Sequence, residues 1–473
     1  MTNRSGESGI IGETRMRKLL LTTVAVLGGT VGIAAGAYAQ ATAPSVFEPN
    51  ASYGVGGPPT APPTSASTSM ATGMTAPNSF VVHLNGRINW YAGVESDSTN
   101  GRDGFKNDPY GFQGYIRLFP GFDAVAANGL QYGVVSEIRM PGSNFSGAGN
   151  SPGSTSSHMT LYWFQAYGYV GTDQLGTFSF GMQNGPTTNF ETGTFEGFND
   201  GAWNGDVPGF IAGNAYAEYP FSDSGPLQTG DKIVYMSPSW AGFQFGISFE
   251  PNTDNLWNAN CSGSPSSAST CNSLIASPVS TDQDRFTNLL DVGAQYTGTF
   301  GPVGVAVGGG WVGSEKVNYD GGVAPAGSQY NGLSVGQVGA TFTIAGFSFG
   351  GNLSYGDQDG VYALQPRGGV NELAWMGGVQ YATGPYIVGA SYFRNNFAGG
   401  WTSATVGVAR TETDQGLAAG ATYSVAPGLG LYLSYLYGQR HQLGYDFATG
   451  DTDTAVGNNV KAQVFAVGTV LKW

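Results

Sequence analysis

The chain has 473 residues, a formal net charge of -14 and a pI near 4.5, yet only 11% of its residues are charged. A soluble globular chain usually carries about 25% charged residues, and an acid excess offers no basic patch for nucleic acid. No internal run approaches the roughly 18 apolar residues of a spanning helix, although a mean hydropathy of -0.11 also fits a chain whose apolar and polar residues alternate and average out.

The chain opens on a targeting pattern. Arg15, Arg17 and Lys18 precede the apolar run Leu19 to Val31, and Ala37-Tyr38-Ala39 has the small-residue form of a cleavage site. Residues 1–39 are therefore expected to be a secretory signal peptide, with Met1 or Met16 as the start and a membrane anchor as the alternative. Residues 40–78, rich in Pro, Ser, Thr, Ala and Gly, cannot bury a core and are expected to form a flexible segment.

From Ser79 the pattern becomes a period of two. Val82, Leu84, Ile88, Trp90, Ala92 and Val94 share one face of a strand, and His83, Asn85, Arg87, Asn89 and Tyr91 share the other. Successive side chains of a strand point to opposite faces, so one face suits lipid and the other water. The same alternation recurs in Leu130 to Met140, Leu290 to Thr297 and Phe347 to Tyr355. Sixteen such segments are expected, at about 80–94, 110–119, 129–140, 160–171, 177–183, 231–237, 242–250, 287–299, 303–313, 333–344, 347–357, 372–382, 386–396, 413–425, 429–440 and 460–473. Tight turns alternate with long polar loops, the pattern of an all-β, transmembrane, antiparallel β-barrel. Lipid offers no partner to backbone N–H and C=O, so the sheet must close, and sixteen strands leave an aqueous lumen.

Cys261 and Cys271 sit in a Ser-rich loop. In an exported chain they are expected to form a disulfide, with two free thiols as the alternative. His83, His158 and His441 occupy no metal-binding or nucleophile motif, so no cofactor, metal or enzymatic activity is expected, although a Ser–His pair assembled in space stays open. The Gly-rich run 301–313 lacks the Lys-Ser/Thr of a phosphate loop and reads as a strand at a crowded wall. Trp90, Tyr91, Tyr132, Tyr296, Trp311, Tyr355, Trp375, Tyr381, Tyr435, Tyr437 and Trp473 are expected in the interfacial girdles, the alternative being a sugar slide inside the lumen.

Several runs resemble Gram-negative general porins. "GDKIVYMSPSWAGFQFGISF" at 230–249 is similar to that family's sixth and seventh strands, "GTFSFGMQNGP" at 176–186 to its fifth strand entering the third loop, and "VVHLNGRINWYAGV" at 81–94 to its first strand. The terminal aromatic also resembles the family's C-terminal signal, with Trp473 in place of the usual Phe. The resemblance covers about 80–473. It implies a homotrimer in the outer membrane, among lipid and lipopolysaccharide, acting as a passive channel for small hydrophilic solutes and ions. It also implies a third loop, about 184–230, folded inward as a constriction. That loop holds Glu191, Glu196, Asp200, Asp206, Glu218 and Asp223 and no Lys or Arg. Glu191, Glu196, Asp200 and Asp206 become the candidate acidic lining, opposed by Arg87, Arg117 and Arg139 on the wall. The bland alternatives are solvated loop carboxylates and wall ion pairs such as Glu137 with Arg139. The loop's acid excess implies a mild cation preference. The rival readings are a substrate-selective channel for sugars or oligosaccharides and a structural or adhesive barrel.

Overall fold

A computed structural model describes residues 78–101, 106–139, 161–221, 230–252, 286–316, 330–400, 410–450, 452–454 and 457–473. The expected signal peptide, the 40–78 segment short of Asn78, and His158, Asp223, Cys261 and Cys271 lie outside the described residues.

The barrel strands are β1 (Ser79–Asp97), β2 (Tyr110–Val125), β3 (Gln131–Arg139), β4 (Tyr162–Thr172), β5 (Gly176–Met182), β6 (Asp231–Met236), β7 (Phe243–Asn252), β8 (Phe286–Phe300), β9 (Val303–Lys316), β10 (Ser334–Ile344), β11 (Phe347–Asp357), β12 (Glu372–Thr383), β13 (Tyr386–Phe397), β14 (Glu412–Ala426), β15 (Leu429–Gln442) and β18 (Asn459–Lys472). A small hairpin, β16 (Gly444–Tyr445) with β17 (Thr452–Thr454), decorates the connection before β18 and was not foreseen. The sixteen barrel strands pair antiparallel in chain order, and β1 closes the ring on β18. At the seam, Gly86 and Trp473 exchange two backbone hydrogen bonds of 3.1 Å, so the final residue completes the closure. With the ring shut, no barrel strand presents an unpaired edge to lipid.

Alternation sets the two faces. On β11, Phe347, Phe349, Leu353 and Tyr355 are exposed on the outer wall, while Ser348, Asn352 and Ser354 are buried toward the inside. One end of the barrel carries short turns. Between β10 and β11 only Ala345 (φ 49°) and Gly346 (φ 84°) intervene, both left-handed, the two-residue turn that matches strand twist. The long connections lie at the other end.

Strand β2 corrects one expectation. The Pro120-Gly121 step suggests an end near residue 119, but β2 runs to Val125. Its pairing to β3 skips from Leu118↔Ile138 to Gly121↔Val135 without a change of register, so Pro120, which has no N–H to donate, interrupts the ladder locally and Ser136 Oγ donates to its carbonyl instead. The girdle set needs another correction. Tyr91 points inward and is fully buried.

The only helical pieces among the described residues are a turn at Pro186–Asn189 and 3₁₀ turns at Ala202–Asn204 and Val207–Phe210, all in the third loop. That loop folds inside the barrel. Phe195, Phe198, Trp203, Tyr219 and Phe221 build an apolar core there with Met376, Phe393, Leu436 and Val464 of the wall.

Candidate functional site

The third loop, after β5, sweeps along the inner wall, and the wall's sequence explains how. Thr187 N–H donates to Asp291 on β8 (3.0 Å), Asn352 on β11 donates to the Thr192 carbonyl (2.8 Å), and Asn199 donates to Ser434 on β15 (2.9 Å). Trp203 Nε1 donates to the Leu417 carbonyl on β14 at 3.2 Å. Between these anchors the loop lies directly on backbone. A Cβ at Gly308 would collide with the Phe190 carbonyl, one at Gly378 with Phe195, and one at Gly438 with Trp203. Inward glycines thus form a track that lets the loop approach the wall. The Gly-rich 301–313 run is part of it.

The far end of the loop reaches β1 and β2. Arg87 and Arg117 are register partners across β1–β2, Arg117 and Arg139 across β2–β3, and Arg87 and Lys472 across β1–β18. The three arginines therefore form a lateral row on adjacent strands, all buried. Their like charges are held by aromatic faces and carboxylates. Arg87 and Arg117 lie 5.3 and 4.8 Å from the Tyr115 ring centroid, on which cation–π attraction acts. Glu137 stands between two of them, 2.6 Å from Arg139 Nε and 3.6 Å from Arg117 Nη1. From the loop, Asp206 Oδ1 approaches Arg117 Nη2 at 3.6 Å. Asn89 donates to Asp200 Oδ1 (3.0 Å), and the Tyr91 hydroxyl donates to Asp200 Oδ2. Burial, and then the neighbouring Asp206, push the Asp200 carboxyl up to about 8.

The four candidate acids are thus dispersed along the loop. Asp200 and Asp206 meet the arginine row. Glu191 accepts from Gln337 on β10. Glu196 is buried and accepts from Tyr219 (2.6 Å) within the loop itself, and burial with that carboxylate raises the Tyr219 hydroxyl above its ordinary value. Arg139 also forms the Glu137 pair that was the alternative to open lumen lining.

Sequence reasoning missed a second charged cluster near the long-loop end. Glu218, on the returning limb of the third loop, donates its N–H to Asp414 Oδ2 at 2.7 Å and accepts from Val361 N–H at 3.2 Å. Glu372 accepts from Gly360 N–H (2.7 Å), and Asp359 accepts from Gly399 N–H (2.7 Å). Arg440 joins Glu412 (2.7 Å) and Asp414 (3.3 Å). Burial raises the Asp359 carboxyl well above the usual carboxylate range. A third feature is the fully buried pair Lys232–Glu250 (3.0 Å) between β6 and β7. Inward parity on β12, β14 and β15 could have signalled the second cluster, but loop positions 359 and 218 carry no period to read.

Among known proteins, the sequence profile of Gram-negative porins matches residues 34–443. No curated protein matches the chain in sequence. Of solved structures, an anion-selective porin from Comamonas acidovorans is 13% identical with a TM-score of 0.52, over 84% of this chain and 100% of that one. OmpT of Vibrio cholerae in its trimer form is 16% identical with a TM-score of 0.48, over 84% of this chain and 100% of its own. OmpF of Salmonella typhi, in complex with daunomycin, is 14% identical with a TM-score of 0.49, over 84% and 98%. At such identities the Comamonas likeness speaks for the fold alone.

Proposed function

We propose that this chain, which belongs to the Gram-negative porin family, forms a general-diffusion channel for small hydrophilic solutes and ions, with a mild preference for cations. Family membership supports the coarser statement, a β-barrel channel of the outer membrane. The finer reading rests on one observation: the third loop folds inward and spans from β8 to the arginine row on β1–β3, so whatever crosses the barrel passes the groups it carries.

The sign of the preference rests on the inward charge. The third loop carries Glu191, Glu196, Asp206 and Glu218 and no Lys or Arg among its described residues, so the element that narrows the barrel brings acids only. An acid excess lowers the potential felt by cations. Fold does not fix this sign, since the Comamonas porin of similar fold is anion-selective. Glu191, Glu196, Asp200 and Asp206 on the loop, and Arg87, Arg117 and Arg139 opposite, are the proposed constriction groups.

A homotrimer in lipid and lipopolysaccharide completes the reading. Phe80, Val82, Tyr110 and Phe112 on the outer wall of β1 and β2 are each more than 70% exposed, a surface suited to a second copy. The exported, signal-bearing precursor belongs to the same proposal, as does the Cys261–Cys271 disulfide. The test is a reversal potential across a salt gradient combined with liposome swelling in sugars of graded size. Cation-directed reversal with size-limited, chemistry-blind swelling is expected. Anion-directed reversal overturns the charge reading, and saturable uptake of one sugar class favours the selective rival.

A further inference from the structure

Strand β1 outruns the strand on which it closes. Its pairing to β18 ends where Arg87 meets Lys472 and Gly86 exchanges hydrogen bonds with Trp473, yet its pairing to β2 continues down to Ser79↔Val125. Residues 79–85 therefore project past the seam at the short-turn end, and among the described residues no strand pairs with them on the β18 side. Backbone groups along an antiparallel strand turn alternately to one neighbour and the other. Gly86 turns its N–H and C=O toward Trp473, so Leu84, Val82 and Phe80 turn theirs toward the same, vacant side.

This edge lacks the usual protection. Exposed edges are blunted by Lys, by Pro, by bulges or by a covering element. The stretch SFVVHLN at 79–85 carries no Lys, Arg, Asp, Glu or Pro, and its register to β2 is unbroken. Phe80, Val82 and Leu84 are each at least 60% exposed. An apolar, β-prone segment low in charge and without Pro is one that recruits another strand.

The chain delivers such a strand to this edge. Asn78 is left-handed (φ 64°) while its N–H still donates to the Val125 carbonyl (2.8 Å). A type II turn takes Pro at its second position and a left-handed Gly or Asn at its third, and Pro77-Asn78 has that order. A turn there sends the preceding residues back along β1. Thr64 to Ala76 are free of Pro, whereas Pro58, Pro59, Pro62 and Pro63 lie just upstream. A two-residue connection sets Ala76 opposite Ser79 and Met70 opposite Asn85. The match ends at Gly86, where Trp473 already holds the ladder. The splay of a type II connection also suits a short added strand.

We propose that residues 70–76 of this same chain add to β1 as an antiparallel edge strand and cap the open flank of the barrel seam. Thr75, Gly73 and Ala71 then exchange backbone hydrogen bonds with Phe80, Val82 and Leu84. Strand addition uses only the backbone edge, so the outward side chains of Phe80 and Val82 stay available to a second copy. The proposal needs the closed barrel alone and holds whatever the channel passes.

The test is hydrogen exchange of the full-length folded protein in detergent, with barrel integrity checked by heat-modifiable gel migration and by unchanged exchange of β13. Amides 80, 82 and 84 should exchange about tenfold more slowly in the native chain than in a variant lacking residues 64–76, the scale of one or two net hydrogen bonds. Register supplies a sharper comparison. Gly73→Pro removes a donor that faces Val82 and should abolish the protection. Thr72→Pro removes an N–H that faces away from β1 and should preserve it. Equal exchange in the native and deleted chains, or equal loss in both proline variants, overturns the proposal. Protection that fades on dilution marks a second copy as the occupant and overturns it as well.

Discussion

Asp200 carries the tightest coupling between loop and wall. Its carboxyl is buried, accepts from Asn89 and Tyr91, and sits beside Asp206. Its folded pKa of about 8 lies above the ordinary value near 3.8, so the docked loop holds the proton more firmly than an undocked one. The docking it supports is therefore fully present below about pH 4 and is lost progressively as pH rises toward 8. The protection of loop amides 195–210, corrected for the pH dependence of free-amide exchange, should be greater at pH 5 than at pH 8.5, and Asp200→Asn should flatten that difference. An unchanged slope in the variant assigns the effect elsewhere. A second residue-scale expectation concerns selectivity. Neutralising Glu191, Glu196, Asp200 and Asp206 together should move the reversal potential toward zero, whereas an unmoved potential places those groups away from the permeation path. The arginines were legible because strand parity fixes facing, and it put Arg87, Arg117 and Arg139 inside. Their lateral row was not legible, because parity says nothing of register, and register sets which residues stand abreast. Lys472, of the same inward parity, joins that row for the same reason.

At the scale of elements, the strands were nearly all readable, since a half-wet sheet must alternate along its whole length. The misreadings have physical causes. At Pro120 the missing N–H interrupts the pairing to β3 and mimics a strand end, yet the strand runs on in the same register to Val125. On β4 an extra residue, Phe164, lies between the partners of Glu137 and Ile138 and breaks the period of two in that strand. The third loop's existence was signalled by length and composition, but its path depends on glycines scattered over β9, β12 and β15, whose common purpose appears only once the strands are side by side. The path can be challenged directly. Gly378→Val places a branched side chain against Phe195. Overpacking of this kind costs about 1–3 kcal/mol, enough to shift the loop, and should appear as altered or noisier single-channel current. Gly213→Ala, where added atoms meet open space, should leave the current unchanged. If both variants behave alike, close docking on the glycine track does not control the channel.

At the scale of the whole molecule, a closed ribbon answers two solvents at once. Its outer face offers apolar side chains to lipid, its backbone groups are spent on neighbouring strands, and the space it encloses is divided between an inward loop and the charged groups around it. The large exposed apolar residues of β1 and β2 predict that unheated protein migrates on a gel as a species about three times the mass of the boiled chain, as the proposed homotrimer requires. Monomer migration under both conditions leaves the channel intact and removes the trimer. The most direct measurement of the central claim is the current through a planar lipid bilayer after addition of the purified, folded protein. Discrete steps that scale linearly with voltage and with salt concentration are predicted. A bilayer that stays electrically silent while the protein is demonstrably inserted would contradict the account.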